Sequence, residues 1–375
     1  MTIKALRKEI KSSQKTFVPG INPEIVKKKY HLDSVIRIGS NENPYGPFPN
    51  AIEAMKDEIN FLNTYPGNTY MDIKTLIGKN FGVSADHVAL GQGATGVLEA
   101  ISKIFIEEGD EVIIPKQSYR VYVDFSAIMG GVIKELEVDD TYTINLKNIQ
   151  EAITPKTKLI WLCNPNNPSG TLVDKNDFDK LIESLPEHCW LILDEAYGEF
   201  ADQSKLPEKI KHIASGKNML FTRTFSKYYG LAGSRIGYIV ASPEIISAFE
   251  TVSQPFTINR IALIGALASM TKDKVACEEA MTKIVNERIR TENEIRKLGL
   301  EVTTSNTNFI FIKTLYDTFK FASFFGKNGI VIRPTTAWGY KKHIRVSVGT
   351  REDMDAFLKY LKIGLENPDE VNACS

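Results

Sequence analysis

Residues 158–170 read KLIWLCNPNNPSG, residues 190–197 read WLILDEAY and residues 218–227 read NMLFTRTFSK. Each stretch opens with a short apolar run and then breaks into residues that are polar, carry hydroxyls or favour turns. Runs of this kind read as buried strands ending in loops. Working backwards, Glu111-Val-Ile-Ile114 ends at Pro115 and leads into KQSY, while His87-Val-Ala-Leu90 runs into GQGATG and the helical pattern VLEAISKIFIEEG. Working forwards, Arg235-Ile-Gly-Tyr-Ile-Val240 adds another strand, and helical patterns such as DKNDFDKLIESL lie between the runs. This alternation predicts an α/β fold with a mostly parallel central sheet and helices on both faces. Ligands of such sheets bind beyond the carboxyl ends of the strands, where the polar clusters fall.

From about residue 280 the pattern changes. The charged helical stretch EEAMTKIVNERIRTENEIRKLG is followed by TNFIFIK, GIVIR, HIRVSVGT and a last helix, REDMDAFLKYLKIGLE. A helix, short strands and a helix suggest a smaller α+β domain. NENPYGP reads as a Pro/Gly hinge. The expected division is residues 1–45 as an N-terminal arm and part of the small domain, 46–275 as the large domain, and 276–375 as the small C-terminal domain.

Composition narrows the function class. The 375 residues are 43% hydrophobic and 25% charged, and 46 basic side chains offset 46 acidic ones. A neutral chain has no general attraction for nucleic acid or anionic membrane, so an anion must meet a local site. The basic opening MTIKALRKEIKSSQK lacks the apolar region of a signal peptide, and no apolar run reaches the roughly 20 residues of a membrane span. Four widely spaced cysteines without a C-x-x-C pair, and five scattered histidines, point to the cytoplasm and to no bound metal.

The polar clusters carry the chemistry. Gly91-Gln-Gly93-Ala94-Thr95-Gly96 lies between strand and helix, so its N–H groups can cradle a phosphate. It also satisfies the dinucleotide fingerprint G-x-G-x-x-G, with Asp110 and Glu111 near the spacing of a ribose ligand, or it is simply a tight turn. Asp194 closes an apolar strand, where a charge needs a partner. A protonated pyridine nitrogen of pyridoxal phosphate would be one; capping the next helix is the plainer role. Tyr197, three residues on, can donate to the phenolic oxygen of that cofactor, and Asn167 can share it, although Asn-Pro is also a common turn former. Lys227 follows a buried strand and precedes YYGLAGSR, small residues that let backbone approach a ligand closely. Thr224, Ser226 and Arg235 supply donors and charge for a phosphate. A lysine held near cations and away from water has a lowered pKa, which suits Schiff-base formation, whereas most lysines are solvated. Arg345, inside a strand, fits a carboxylate bidentately or sits in a structural ion pair.

Together SNENPYGP, TYPG, GQGATG, NPNNPSG, LILDEAY, RTFSKYYGLAGSRIGY, TNFIFI and HIRVSVGT resemble the fold-type I, pyridoxal-phosphate-dependent aminotransferases of class I/II across essentially the whole chain. Within that group the chain is most similar to histidinol-phosphate aminotransferases and their aromatic-aminotransferase-like relatives. The resemblance implies that Lys227 carries the cofactor and shuttles the proton, that Asp194 pairs with the pyridine nitrogen, and that Tyr197 and Asn167 hold the phenolic oxygen. It implies that Tyr119 stacks on the ring, and that Thr224, Ser226, Arg235 and the backbone of Ala94 and Thr95 hold the phosphate. Tyr65 is expected to reach the phosphate of a neighbouring subunit, which implies a homodimer. Arg345, Arg333 and Asn41 fall on the substrate side, with an amino donor and a 2-oxo acid acceptor as substrates.

Two places depart from the histidinol-phosphate pattern. The family's Pro-Tyr-x-Pro-Gly arm reads Thr16-Phe17-Val18-Pro19-Gly20 here, without the tyrosine hydroxyl, and the acidic pair of its glycine loop is replaced by Thr95-Gly96. Arg333 does match the arginine expected near a substrate phosphate. Histidinol-phosphate:2-oxoglutarate transamination is therefore the leading expectation. Aromatic transamination, decarboxylation as in threonine-phosphate decarboxylases, and, more distantly, a nicotinamide-dependent dehydrogenase using GQGATG stand as alternatives.

Overall fold

The computed structural model describes residues 6–12, 16–18, 20–67 and 69–374. Pro19 of the N-terminal arm and most of its basic opening lie outside them. Among the described residues the strands are β1 (Ile36–Arg37), β2 (Val88–Gln92), β3 (Glu111–Pro115), β4 (Val132–Leu136), β5 (Thr157–Cys163), β6 (Trp190–Asp194), β7 (Met219–Thr224), β8 (Ile236–Val240), β9 (Phe309–Lys313), β10 (Ile330–Val331), β11 (Arg333–Pro334) and β12 (His343–Ser347). The main sheet has the order β2-β8-β7-β6-β5-β3-β4. All its pairings are parallel except those of β8, which runs antiparallel between β7 and β2.

Side chains that alternate along the central strands enter two different cores. Ile160, Leu162, Leu191 and Leu193 pack on one face with Phe178, Leu181 and Phe221. Leu159, Trp161 and Ile192 pack on the other with Val97, Leu98 and Ile101 of the helix Gly93–Phe105. Strands covered on both faces lose the polar alternation of a half-exposed sheet, hence the continuous apolar runs. Helices between them start at definite caps: Asp174 accepts from the N–H groups of Asn176 and Asp177 at 2.8 and 3.0 Å, satisfying donors that the helix Lys175–Ser184 cannot.

A third core joins β9 and β12 to Phe321, Phe324, Phe325, Phe357 and Leu361, and includes Ile38 from the N-terminal part of the chain. β1 pairs in parallel with β10, so residues near 36 are bound to residues near 330. GIVIR divides between two sheets, with Ile330–Val331 against β1 and Arg333–Pro334 against β12. The helix Arg351–Glu366 begins with a reciprocal capping box between Thr350 and Asp353, and a shorter helix, Pro368–Asn372, follows it.

Strand register gathers the polar ends. In the parallel strands Cys163 lies beside Asp194, and Asp194 beside Thr222. Because β8 is reversed, its first residue pairs with the last residue of β2, Gln92, and its second with Thr224. Arg235, immediately before β8, thus reaches the same end of the sheet as the glycine-rich segment and Lys227. GQGATG is not a separate loop: Gly91 and Gln92 complete β2, and the helix starts at Gly93. Asp110 and Glu111 stand at the opening of β3, not at its carboxyl end; the Asp110 carboxylate accepts from the Glu107 N–H and that of Glu111 from Thr154. A ribose-binding role for this pair is ruled out by that placement, and with it the main support for a dehydrogenase.

Candidate active site

A cavity of about 230 Å³ opens beyond the carboxyl ends of β5, β6 and β7. Every expected site residue lines it except Tyr65.

Asp194 is 3% exposed, and no basic side chain among the described residues pairs with it. Its Oδ2 accepts from the Tyr122 hydroxyl at 2.6 Å; its Oδ1 accepts from the Ala196 N–H at 3.1 Å and the Thr222 hydroxyl at 3.3 Å. Burial raises its pKa, against the lowering effect of these donors. The expected alternative of a simple helix cap does not account for it: only the Ala196 contact is of that local type, and Tyr197, not Asp194, precedes the short turn Gly198–Phe200.

Lys227 faces the cavity, with its Nζ donating to the Ser40 carbonyl at 3.2 Å. Surrounding protein lowers its pKa to about 7, chiefly by desolvation, then by the charge of Arg345, with Glu42 opposing and Arg235 adding to the effect. An amine of this pKa is substantially neutral at physiological pH and nucleophilic. Tyr197 lies beneath it, the Lys227 Nζ 5.9 Å from the ring centre, and its hydroxyl accepts from Asn41 Nδ2 at 3.0 Å. Asn41 is held in the left-handed region at φ 55° and by Ser347, whose hydroxyl contacts both its N–H and its side-chain oxygen.

At one end of the cavity are Ala94 and Thr95 in the first turn of the helix Gly93–Phe105, with Thr224, Ser226 and Arg235 opposite. Thr224 donates to Ser226 at 2.9 Å, and the Arg235 guanidinium approaches Ser226 Oγ at 3.5 Å. Two glycines make this closeness possible. A Cβ on Gly237 would stand 2.7 Å from the Ala94 nitrogen, and one on Gly93, at φ 68°, would collide with the Arg235 guanidinium. The free N–H groups of a helix start, hydroxyls and a guanidinium make an anion-binding end.

At the other end Arg333 and Arg345 occupy paired positions on β11 and β12. Arg345 donates to Asn167 Oδ1 at 2.7 Å and to the Gly39 carbonyl at 2.9 Å; Arg333 donates to the Val18 carbonyl. Among the described residues neither meets a carboxylate, both are 6% exposed, and the Nε of each lacks a partner. The structural ion pair weighed for Arg345 is therefore absent. Burial lowers the pKa of both, that of Arg345 to about 10. Trp338 lies against both guanidinium groups, at 5.4 and 5.5 Å, and its indole N–H donates to the Ser118 carbonyl at 2.8 Å. Tyr119 lines the cavity with its hydroxyl beside Thr95 and with Phe17 edge-on to its ring at 5.9 Å.

Tyr65 is elsewhere, 75% exposed and stacked on Phe256 at 4.4 Å. Conversely, Ser40, Cys163 and Trp338 in the wall, and Tyr122 behind Asp194, were not anticipated. Tyr122 carried a usable signal, three residues after Tyr119; Trp338 carried none, since its position depends on the turn that joins β11 to β12 in the small sheet.

This donor set fits pyridoxal phosphate. A buried carboxyl without a protein cation suits a pyridinium nitrogen, a neutral amine suits an aldehyde, and the helix start with Arg235 suits a phosphate.

An α/β sheet with an uncompensated carboxyl, an activated lysine and two orphan arginines around one cavity defines a cofactor-dependent group-transfer enzyme. Residues 33–361 match the family described as aminotransferase class I and II, and the chain belongs to it. It is 35% identical to a histidinol-phosphate aminotransferase of Desulfotalea psychrophila, over 92% of each chain, and 32% identical to one of Moorella thermoacetica, over 93% of this chain and 90% of that one. The crystal structure of histidinol-phosphate aminotransferase from Sinorhizobium meliloti in complex with pyridoxal-5'-phosphate covers 99% of both chains with a TM-score of 0.86 and 27% identity. Pyridoxal phosphate is accordingly the cofactor of this chain.

Proposed function

We propose that the chain is a histidinol-phosphate:2-oxoglutarate aminotransferase. The observation that carries this reading is the pair of buried arginines, Arg333 and Arg345, unpaired with any carboxylate among the described residues and opening onto the cavity that holds Lys227. A phosphorylated donor and a dicarboxylate acceptor each bring the anion such a pair requires. The relatives named above support the same assignment.

The bound cofactor supplies an aldehyde for the amine and a protonated ring that withdraws electrons from the substrate's Cα. Lys227 would bind it and, once displaced by the donor amine, would carry the proton between the substrate's Cα and the carbon that bore the aldehyde. Asp194 holds the proton of the ring nitrogen, while Tyr197 and Asn167 orient the ring through its phenolic oxygen. Tyr119 flanks the ring. Ala94 and Thr95 N–H groups, Thr224, Ser226 and Arg235 hold the phosphate. Arg345 orients a substrate carboxylate, Arg333 a phosphate or second carboxylate, and Asn41 positions Tyr197 beside them.

A second reading, aromatic amino acid transamination, is favoured by Phe17 standing edge-on to Tyr119 where a hydroxyl would help hold a phosphate. Donor screening separates the two. Histidinol phosphate should turn over with a kcat/KM at least tenfold above those of phenylalanine and tyrosine; turnover of the aromatic donors alone would overturn the assignment.

We also place the enzyme in the cytoplasm as a homodimer. No described helix is long and apolar enough to cross a membrane. Exposed Phe61, Leu62, Tyr65 and Phe256 offer an apolar surface for a second copy, from which Tyr65 would enter the neighbouring site.

A further inference from the structure

The Asp194 carboxyl is buried without a protein cation, so its ionised form depends on the donors around it. The shortest of these contacts is that of Tyr122, which meets Oδ2 at 2.6 Å, while Ala196 and Thr222 share Oδ1. Tyr122 is itself without solvent exposure and occupies the first turn of the helix Val121–Ile128. Its ring stacks on Trp161 of β5 at 5.0 Å with the planes 4° apart, and Tyr119 meets it edge-on at 5.6 Å. The Trp161 indole N–H donates to Ser126, on the same helix as Tyr122, at 3.1 Å. The hydroxyl is thus aimed by a clamp, not left to choose its own direction. Burial keeps the phenol protonated, so at working pH it acts on Asp194 as a donor.

We propose that Tyr122 is a positioning residue that holds Asp194 ionised and correctly aimed, and so keeps a proton on the cofactor's ring nitrogen. This rests on the reading that Asp194 faces that nitrogen. Losing the hydroxyl destabilises the carboxylate, and with it the ion pair of carboxylate and protonated ring relative to the neutral pair. A hydrogen bond to a charged group is worth about a factor of ten or more in an equilibrium, or about one pH unit in a titration.

The test is the ¹⁵N chemical shift of the ring nitrogen, followed across pH in holoenzyme rebuilt with ¹⁵N-labelled pyridoxal phosphate. Tyr122→Phe, which keeps the ring on Trp161, should lower the pH at which that nitrogen loses its proton by about one unit and reduce kcat about tenfold with little change in KM. Asp194→Asn serves as reference and should leave the nitrogen unprotonated throughout. If Asp194→Asn shifts the resonance and Tyr122→Phe matches wild type, the role of Tyr122 is overturned and that of Asp194 stands. If neither variant differs from wild type, the reading of Asp194 fails first, and the proposal with it. Should Tyr122→Phe fail to fold, 3-fluorotyrosine at position 122, a stronger donor of almost the same shape, should raise the transition pH; an unchanged value overturns the proposal.

Discussion

The guanidinium of Arg345 on β12 donates to the side-chain oxygen of Asn167 at 2.7 Å, linking the small sheet to the loop that follows β5 of the large one. The same group lies close enough to Lys227 to lower the lysine's pKa. Replacing it therefore has two separable consequences. Arg345→Gln should raise KM for the 2-oxo acid by about tenfold to a hundredfold, as loss of a charge-assisted contact does. It should also move the Lys227 pKa upward, because a nearby positive charge has gone. Steady-state kinetics measure the first effect and a pH titration of amine reactivity the second. A change in KM alone would show that the two groups are not coupled.

For the cofactor-free chain, the Lys227 pKa of about 7 has a definite sign in pH. Burial lowers it from 10.5, so the neutral, reactive amine is the minor form below pH 7 and the major form above it. Labelling of Lys227 by an aldehyde or acylating reagent should rise as pH increases through about 7 and then level off. An ordinary exposed lysine keeps gaining reactivity to about pH 10. Mass spectrometry of the labelled peptide follows both; a Lys227 profile matching the exposed lysines would contradict the described environment.

Gly93 occupies a place where no side chain fits, by conformation and by contact with Arg235. Gly93→Ala should weaken cofactor binding by about tenfold or more, because the Arg235 guanidinium must move. The left-handed backbone costs the folded apoprotein about 1 kcal/mol as well, so its unfolding temperature should fall by about 2 °C. Equilibrium dialysis against pyridoxal phosphate measures the loss.

Tyr65 is tested by mixing subunits. If it serves the neighbouring site, a dimer of one Lys227→Ala chain and one Tyr65→Ala chain has one wholly native site. Co-expression should then restore up to about half of native activity per mixed dimer, although each variant alone is severely impaired. No recovery in isolated mixed dimers would mean that Tyr65 does not act across the interface.

Much of this architecture was legible because buried parallel strands write themselves as apolar runs, and because the residues that follow them must be polar to line a site. Asp194, Lys227 and Asn167 stand at such junctions. The apolar run Asn218–Phe221 marks β7 but not its end: the strand runs on to Thr224, a hydroxyl that the apolar pattern alone leaves in the loop. REDMDAFLKYLKIGLE matches the helix Arg351–Glu366 residue for residue, whereas the short helix Pro368–Asn372 after it has no apolar pattern to announce it. What the pattern did not convey was contact between distant segments. Tyr122 and Trp338 matter through Asp194 and Ser118, 72 and 220 residues away, and no periodicity encodes those distances. The reversed direction of β8, which brings Arg235 to the helix start at Gly93, is likewise a matter of sheet order and not of local composition.

The central claim is that Lys227 is the amine that holds the cofactor. Reduction of the purified holoenzyme with borohydride, followed by peptide mapping, tests it most directly. A reduced pyridoxyl group on Lys227, with neither label nor turnover in Lys227→Ala, is the predicted result. A label on another lysine, or a Lys227→Ala protein that retains covalently held cofactor and full activity, would contradict it.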